Sequence, residues 1–380
     1  MTLETEPVLR ARRRRASGAV VDFDGRRLSL ARRLRRLQRT ALADKTSVTA
    51  AAITQFERNT ARPTNTVLAE LALALGMPTD FFRQGRPIEQ VPASASHFRS
   101  LRATPAIARD QALAFAEIAL AVIDVIEQYV DLPSVPDLAE PVDGEPDSDQ
   151  IAAIAANTRS RMGVEPGPIP HVVRLLEAHG IVVLRLPPEI DRKVDAFSTE
   201  AGHRPLVLLS PAKDDRARSR FDAAHELGHL VMHQDVQPGS KIIESQAHQF
   251  ASEFLAPTPE LEPDLPRKVD WEALLLAKKK WGISLAALVY RARGIGLWGE
   301  HAYRRANQHL TAQGYPEQGP LGPPESPYLL GAAAAMLSEA GTTTDALAIA
   351  SRLTVDQIDE IVAAGSETKP RLQLTVDPRP

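Results

Sequence analysis

Residues 218–233 read RSRFDAAHELGHLVMH, and the rest of the chain is best understood outward from them. Phe221, Ala224, Leu227, Leu230 and Val231 recur at helical spacing, so the run predicts a buried helix. His225 and His229 are four residues apart and project from the same helical face, one turn apart. Two imidazoles at that spacing can converge on one zinc ion at about 2.0–2.1 Å. Glu226 points to one side, close to a metal-bound water, where it can serve as general base. The competing interpretation is a pair of partly buried histidines on an amphipathic helix.

A catalytic zinc needs a third protein ligand and one open position. The chain contains no cysteine, so the ligand must be His, Asp or Glu. Glu244, Asp235, His248 and His233 all lie nearby. His225, His229 and His233 would spread over about 12 Å of helix, too far for one ion. His233 otherwise reads as a helix-end residue interacting with the dipole. Glu244 starts the next helix, in ESQAHQFASEFLAP (244–257), and an antiparallel packing would bring its first turn to the metal. Glu244 is the preferred third ligand and His248, one turn on, the second choice or a transition-state donor.

Three strand-like runs precede this helix, at 181–186, 194–199 and 205–210. Helices are expected at 151–161, 171–179, 218–233, 243–255 and 271–293, which makes 150–310 an α+β unit. Arg218, Arg220 and an edge strand at 205–210 are candidates to hold an extended substrate by strand addition; the two arginines also read as plain surface charges. Residues 91–149 read as a connecting helix (109–132) and a Pro- and acid-rich linker, and 311–380 as a linker (315–326) and a small helical C-terminal region. The apolar window 111–130 carries Glu117, Asp124 and Glu127, so it predicts an amphipathic helix and not a membrane span.

The net charge of −3 conceals a split. Residues 1–100 hold 18 Lys and Arg against 9 Asp and Glu, and the remainder is acidic. That balance suggests an anionic partner for the first part alone. Residues 1–25 read as a basic flexible tail, and 26–90 as five short helices. Within them, QRTALADKTSVTAAAITQFER (38–58) has the pattern helix, tight turn, helix. Leu42, Ala43, Val48, Ile53 and Phe56 would join the two helices. Thr49 would cap the second, leaving Ala50, Ala51, Thr54 and Gln55 on the face that reads a major groove. Arg39 suits a phosphate contact, with Arg32, Arg33, Arg35, Arg36 and Arg58 as further positive charge. Two alanines on that face can touch a thymine methyl but cannot hydrogen-bond a base, so modest specificity is expected.

These motifs carry two resemblances. Residues 27–87, through LADKTSVTAAAITQFERNTARP and LAELALALGMPTDFF, resemble the lambda-repressor-like (Xre-type) helix-turn-helix family. The sequence departs from that family at two turn positions usually held by glycine, Arg36 and Ser47, and Ser47 is expected to be strained at φ > 0. RSRFDAAHELGHLVMH and ESQAHQFASEFLAP, preceded by VDAFST and RPLVLLS, resemble the ImmA/IrrE-type zinc metallopeptidases. His248 stands where that family commonly has asparagine. The resemblance implies a gluzincin-like α+β domain after an all-α domain, with zinc on His225, His229 and Glu244 and Glu226 as base. It also implies cleavage of a repressor-type helix-turn-helix protein. The expected molecule is a multi-domain cytoplasmic regulator that binds double-stranded operator DNA, as a homodimer and without membrane contact. Two other classes stay open: a non-catalytic zinc-containing sensor controlling its own repressor domain, and a peptidase whose N-terminal module recruits a protein.

Overall fold

The computed structural model describes residues 18–91, 104–140, 146–191, 193–210, 215–233 and 240–366. The arginine run 10–15 and Asp235 lie outside them.

The N-terminal helices begin at short polar caps, as their sequences require. Asp24 accepts from the Arg26 amide at the start of α1 (Gly25–Leu34). α2 (Arg39–Ala43) follows without a side-chain cap. The Thr49 hydroxyl caps α3 (Ala50–Glu57), and Thr64 caps α4 (Asn65–Leu75), which ends on left-handed Gly76. A 3-10 turn, Thr79–Phe82, closes the unit and buries Phe81 and Phe82 beside Leu28, Leu42, Ile53 and Leu71. Ser47 does not take the strained conformation expected of it. Arg36 does, at φ 55°, so the cost of replacing glycine falls on one turn only.

α5 (Ala106–Ile126) is buried almost all round, not amphipathic as its sequence suggests. The helical unit covers one side, and the sheet and C-terminal helices cover the others. Glu117 is reached inside this packing by Arg33, at 2.7 Å, so the charge that argued for a wet face is paired in the interior. Among the described residues, no helix is long and apolar enough to cross a membrane.

After α6 (Ser148–Arg161) and α7 (Val172–Ala178), three strands form one sheet: β1 (Val182–Arg185), β2 (Phe197–Thr199) and β3 (Leu206–Leu209). Their order is β1-β3-β2, with β1 parallel and β2 antiparallel to β3. Successive side chains alternate between two cores. Val182, Leu184, Leu206 and Leu208 face α5 and the C-terminal helices; Val183, Val207 and Leu209 face α8 (Arg216–Met232). Both faces are covered, which explains a central strand, β3, that is apolar at every position.

α8 packs against α9 (Lys241–Leu255), and α9 against α6. A short helix, α10 (Thr258–Leu261), follows. Residues 271–293, expected as one helix, form two: α11 (Trp271–Trp281) and α12 (Leu285–Gly294). Gly282, at φ 66°, ends the first, and Ser284 caps the second. α13 (Glu300–Gln313) precedes a segment, 315–326, that is more than a spacer. Its Glu317 accepts from the amides of Leu285 and Ala286 and binds Lys278 at 3.0 Å. Its Glu325, 1% exposed, pairs with Arg220 and accepts from the Val173 amide. The last helices among the described residues are α14 (Leu329–Glu339), α15 (Thr344–Ser351) and α16 (Val355–Ala364), which pack on α5 and β1. Arg352 of the α15–α16 turn donates to the carbonyls of Arg83 and Gln84.

Glu177 of α7 holds the start of α14 by accepting from the amides of Tyr328 and Leu329. Burial raises its pKa, the two amides lower it, and the net value stands at about 7. A carboxyl raised on folding stabilises most fully below its unfolded pKa, and the stabilisation is lost as pH rises through 7. We therefore expect urea unfolding to show a fall of up to about 3 kcal/mol between pH 4.5 and 8 that Glu177→Gln removes. Parallel pH profiles for the two proteins would contradict this.

Candidate metal centre and nucleic-acid interface

The antiparallel α8–α9 hairpin builds the metal centre. Gly228 lets the helices approach closely, since a Cβ there would lie 2.9 Å from Phe250 Cδ1. That approach brings Glu244, in the first turn of α9, to the two histidines of α8. His225 Nε2 lies 3.2 Å from His229 Nε2 and 3.2 Å from Glu244 Oε2, and His229 Nε2 lies 3.5 Å from Glu244 Oε1. A tetrahedral ion with ligands at about 2.0–2.1 Å separates its ligand atoms by about 3.3 Å. The spacings match the edges of a zinc-sized tetrahedron, with one Glu244 oxygen turned to each histidine. His225, His229 and Glu244 can hold a metal ion.

The electrostatics agree. Burial pushes the Glu244 carboxyl upward, but the hydrogen bonds and charge of His225 and His229 outweigh it and hold the group well below the ordinary carboxylate range. That positive charge belongs to protonated imidazoles; a bound cation would take its place, with both imidazoles neutral. Behind the ligands runs a hydrogen-bonded file. His229 Nδ1 lies 3.0 Å from His233 Nδ1, and His233 Nε2 lies 2.8 Å from Gln246 Oε1. Gln246 Oε1 can only accept, so His233 carries its proton on Nε2. His233 Nδ1 then accepts from His229 Nδ1–H, which leaves His229 Nε2 bare for a metal. His233 caps the C-terminal end of α8, the helix-end position expected, and is also a buried support; burial lowers its pKa.

Glu226 is 1% exposed and accepts from the Ser198 hydroxyl of β2 at 2.8 Å. His248 stands beside the ligands rather than among them: its ring centroid is 6.5 Å from that of His225 and 4.6 Å from that of Phe221. Sequence reasoning missed Ser198 and Gln246. Neither belongs to the histidine motif, and only the pairing of β2 with β3 and the antiparallel hairpin bring them in.

Two expectations about substrate binding are corrected. Strand 205–210 is not an edge: β3 is the central strand, and β2 is the edge beside α8. Arg220 is 3% exposed and bound to Glu325, so it cannot reach a substrate. Arg218 pairs with Asp222 at 3.0 Å.

In the helix-turn-helix, Thr49, Ala51, Gln55 and Arg58 are exposed and Ala50 and Thr54 partly so. The hydroxyls of Thr49 and Thr54 serve their own helix, through the Ala52 amide and the Ala50 carbonyl. Most of the expected positive charge is structural. Arg32 binds Glu57 at 2.6 Å, Arg33 binds Glu117, Arg35 donates to the Leu75 carbonyl, and Arg36 meets Asp191. Buried Glu57 also fixes Arg39 at 2.6 Å, although 47% of that side chain remains exposed.

Against known families, residues 28–82 match the helix-turn-helix family model, and residues 176–293 match the peptidase model described as an IrrE N-terminal-like domain. No curated protein matches the chain.

Proposed function

From a chain that carries a helix-turn-helix domain followed by an IrrE N-terminal-like peptidase domain, we infer a DNA-binding regulator that cuts a protein by zinc-dependent hydrolysis. The observation that carries this is the tetrahedral spacing of His225, His229 and Glu244 with Glu226 buried beside them. A zinc ion held by His225, His229 and Glu244 would supply a Lewis acid and lower the pKa of water towards neutrality. Glu226, oriented by Ser198, takes the proton of the attacking water and delivers it to the departing amine as the C–N bond breaks. His233 and Gln246 keep His229 in the tautomer that binds metal. Edge strand β2, beside α8, is the place for an extended substrate to pair. The substrate is a repressor-type helix-turn-helix protein. The exposed residues Thr49, Ala51, Gln55 and Arg58, with Ala50, Thr54 and the pinned Arg39, meet operator DNA in a cytoplasmic homodimer.

The continuous core from the helix-turn-helix through α5 to the sheet favours a second reading, in which the zinc domain acts as a non-catalytic sensor for its own repressor head. Cleavage separates the two. With a helix-turn-helix repressor as substrate, Glu226→Gln should retain zinc and lose at least about 100-fold in rate. Equal cleavage by both proteins would remove Glu226 from the mechanism, and no cleavage by the zinc-loaded wild type would leave the sensor.

A further inference from the structure

Beside the metal centre, the α8–α9 hairpin continues as a trough. Along α8, Phe221 and Ala217 follow His225 at successive turns; along antiparallel α9, His248 and Ser252 follow Glu244. Each step is about 6 Å of helix, so the two rows run together away from the metal ligands. Four of these residues, Ala217, Phe221, His248 and Ser252, line a cavity of about 550 Å³. Its far wall comes from α12, α13 and the segment after them, through Ala287, Tyr290, Tyr303 and Tyr315. That volume falls within the range of about 300–1,000 Å³ typical of ligand pockets.

The lining is more apolar than polar. Its charged groups already have partners: Asp215 caps α8 through the Arg218 amide, Arg218 pairs with Asp222, and Glu317 caps α12 and binds Lys278. The rest combines the rings of Phe221, Tyr290, Tyr303 and Tyr315 with alanines, Ile283 and the uncharged polar groups of His248, Ser252, Ser284 and Asn307, and Tyr290 and Tyr315 are exposed despite their size. Exposed aromatics grouped at a concave surface mark a binding site more often than isolated ones do.

We propose that this cavity is a specificity pocket for a large apolar or aromatic side chain of the protein substrate, one or two residues from the bond that is cut. The distance fits at the near end of the pocket, because Phe221 and His248 stand one step, about 6 Å, from His225 and Glu244, and an extended chain advances about 3.3–3.6 Å per residue. The chemistry fits too, because Arg218 and Glu317 already face opposite charges in Asp222 and Lys278, and Asp215 is engaged as the cap of α8. The proposal rests on the hydrolase reading for the word substrate, but the pocket's preference is measurable without turnover.

Two experiments on the zinc-loaded full chain test it. In the first, random heptapeptides are selected on Glu226→Gln, with Glu226→Gln/Ala287→Trp and Glu226→Gln/Ser252→Trp as filled-pocket controls. In the second, the cut sites made in casein by the wild type are mapped by mass spectrometry. The proposal expects selected peptides enriched in Phe, Tyr, Trp, Leu or Met at one position, with tenfold or greater loss of that enrichment in both controls at unchanged zinc content. It expects the same residue class at one fixed position beside the cut bonds. Enrichment without casein cleavage would sustain the pocket and overturn the hydrolase. Cleavage with no side-chain preference, or a preference that survives both tryptophans, would overturn the pocket and leave the hydrolase standing. Neither enrichment nor cleavage would overturn both.

Discussion

Alanine in place of Glu244 is expected to weaken zinc binding by more than 100-fold. Residues that merely support a metal ligand change affinity by about 10–100-fold, and removing a ligand itself exceeds that. Glu244 also supplies the carboxylate beside two buried imidazoles, so its loss leaves His225 and His229 facing each other at 3.2 Å with no anion between them. The thermal midpoint gives an independent readout. Zinc at 100 times its dissociation constant stabilises a folded protein by about 2.7 kcal/mol. Wild type should therefore melt at a higher temperature when zinc is added, and Glu244→Ala should not respond. His248→Ala should keep its zinc, because His248 lies outside the ligand group. If His248→Ala loses zinc and Glu244→Ala retains it, the third ligand has been misassigned.

The second large effect is expected far from the metal. Glu325→Ala should destabilise the protein by about 3–5 kcal/mol, the range for leaving one buried charge unpaired. Arg220 is 3% exposed and donates to the Ile169 carbonyl at 2.7 Å, but Glu325 is its only carboxylate partner among the described residues. The same glutamate caps α7 through the Val173 amide, so the change also orphans a buried donor. Replacing both partners with apolar residues, Arg220→Met with Glu325→Leu, should recover most of the loss, since the pair's desolvation cost disappears with it. Urea unfolding of the three variants measures this. A loss below about 1 kcal/mol for Glu325→Ala would mean that residues 315–326 do not hold α7 and α8 together.

The sequence was most legible where local rules coincide. Apolar spacing and turn residues agree along residues 26–90, and α3 begins at the cap read for it, Thr49, while the caps Asp24 and Thr64 were not singled out. The metal ligands were legible for a similar reason. His225 and His229 share one helix, and Glu244 needed only the inference that the next helix runs antiparallel. What could not be read is what tertiary packing decides. Nothing local shows that Glu117 would be buried against Arg33, or that four arginines of a basic face would be spent on Glu57, Glu117, Asp191 and the Leu75 carbonyl. Strand order was hidden for the same reason. Strands buried on both faces carry no alternation to mark an edge, so β3 read as outer when it is central. Arg36 shows the limit of a family pattern. Two glycine positions were substituted, yet one turn took the left-handed conformation and the other did not.

The most direct test is X-ray absorption at the zinc edge on the full chain loaded with one equivalent of zinc. Two imidazole nitrogens and carboxylate oxygen at about 2.0–2.2 Å are expected, with one imidazole lost in His229→Ala. Three imidazoles in the first coordination sphere, or none, would contradict a centre built from His225, His229 and Glu244.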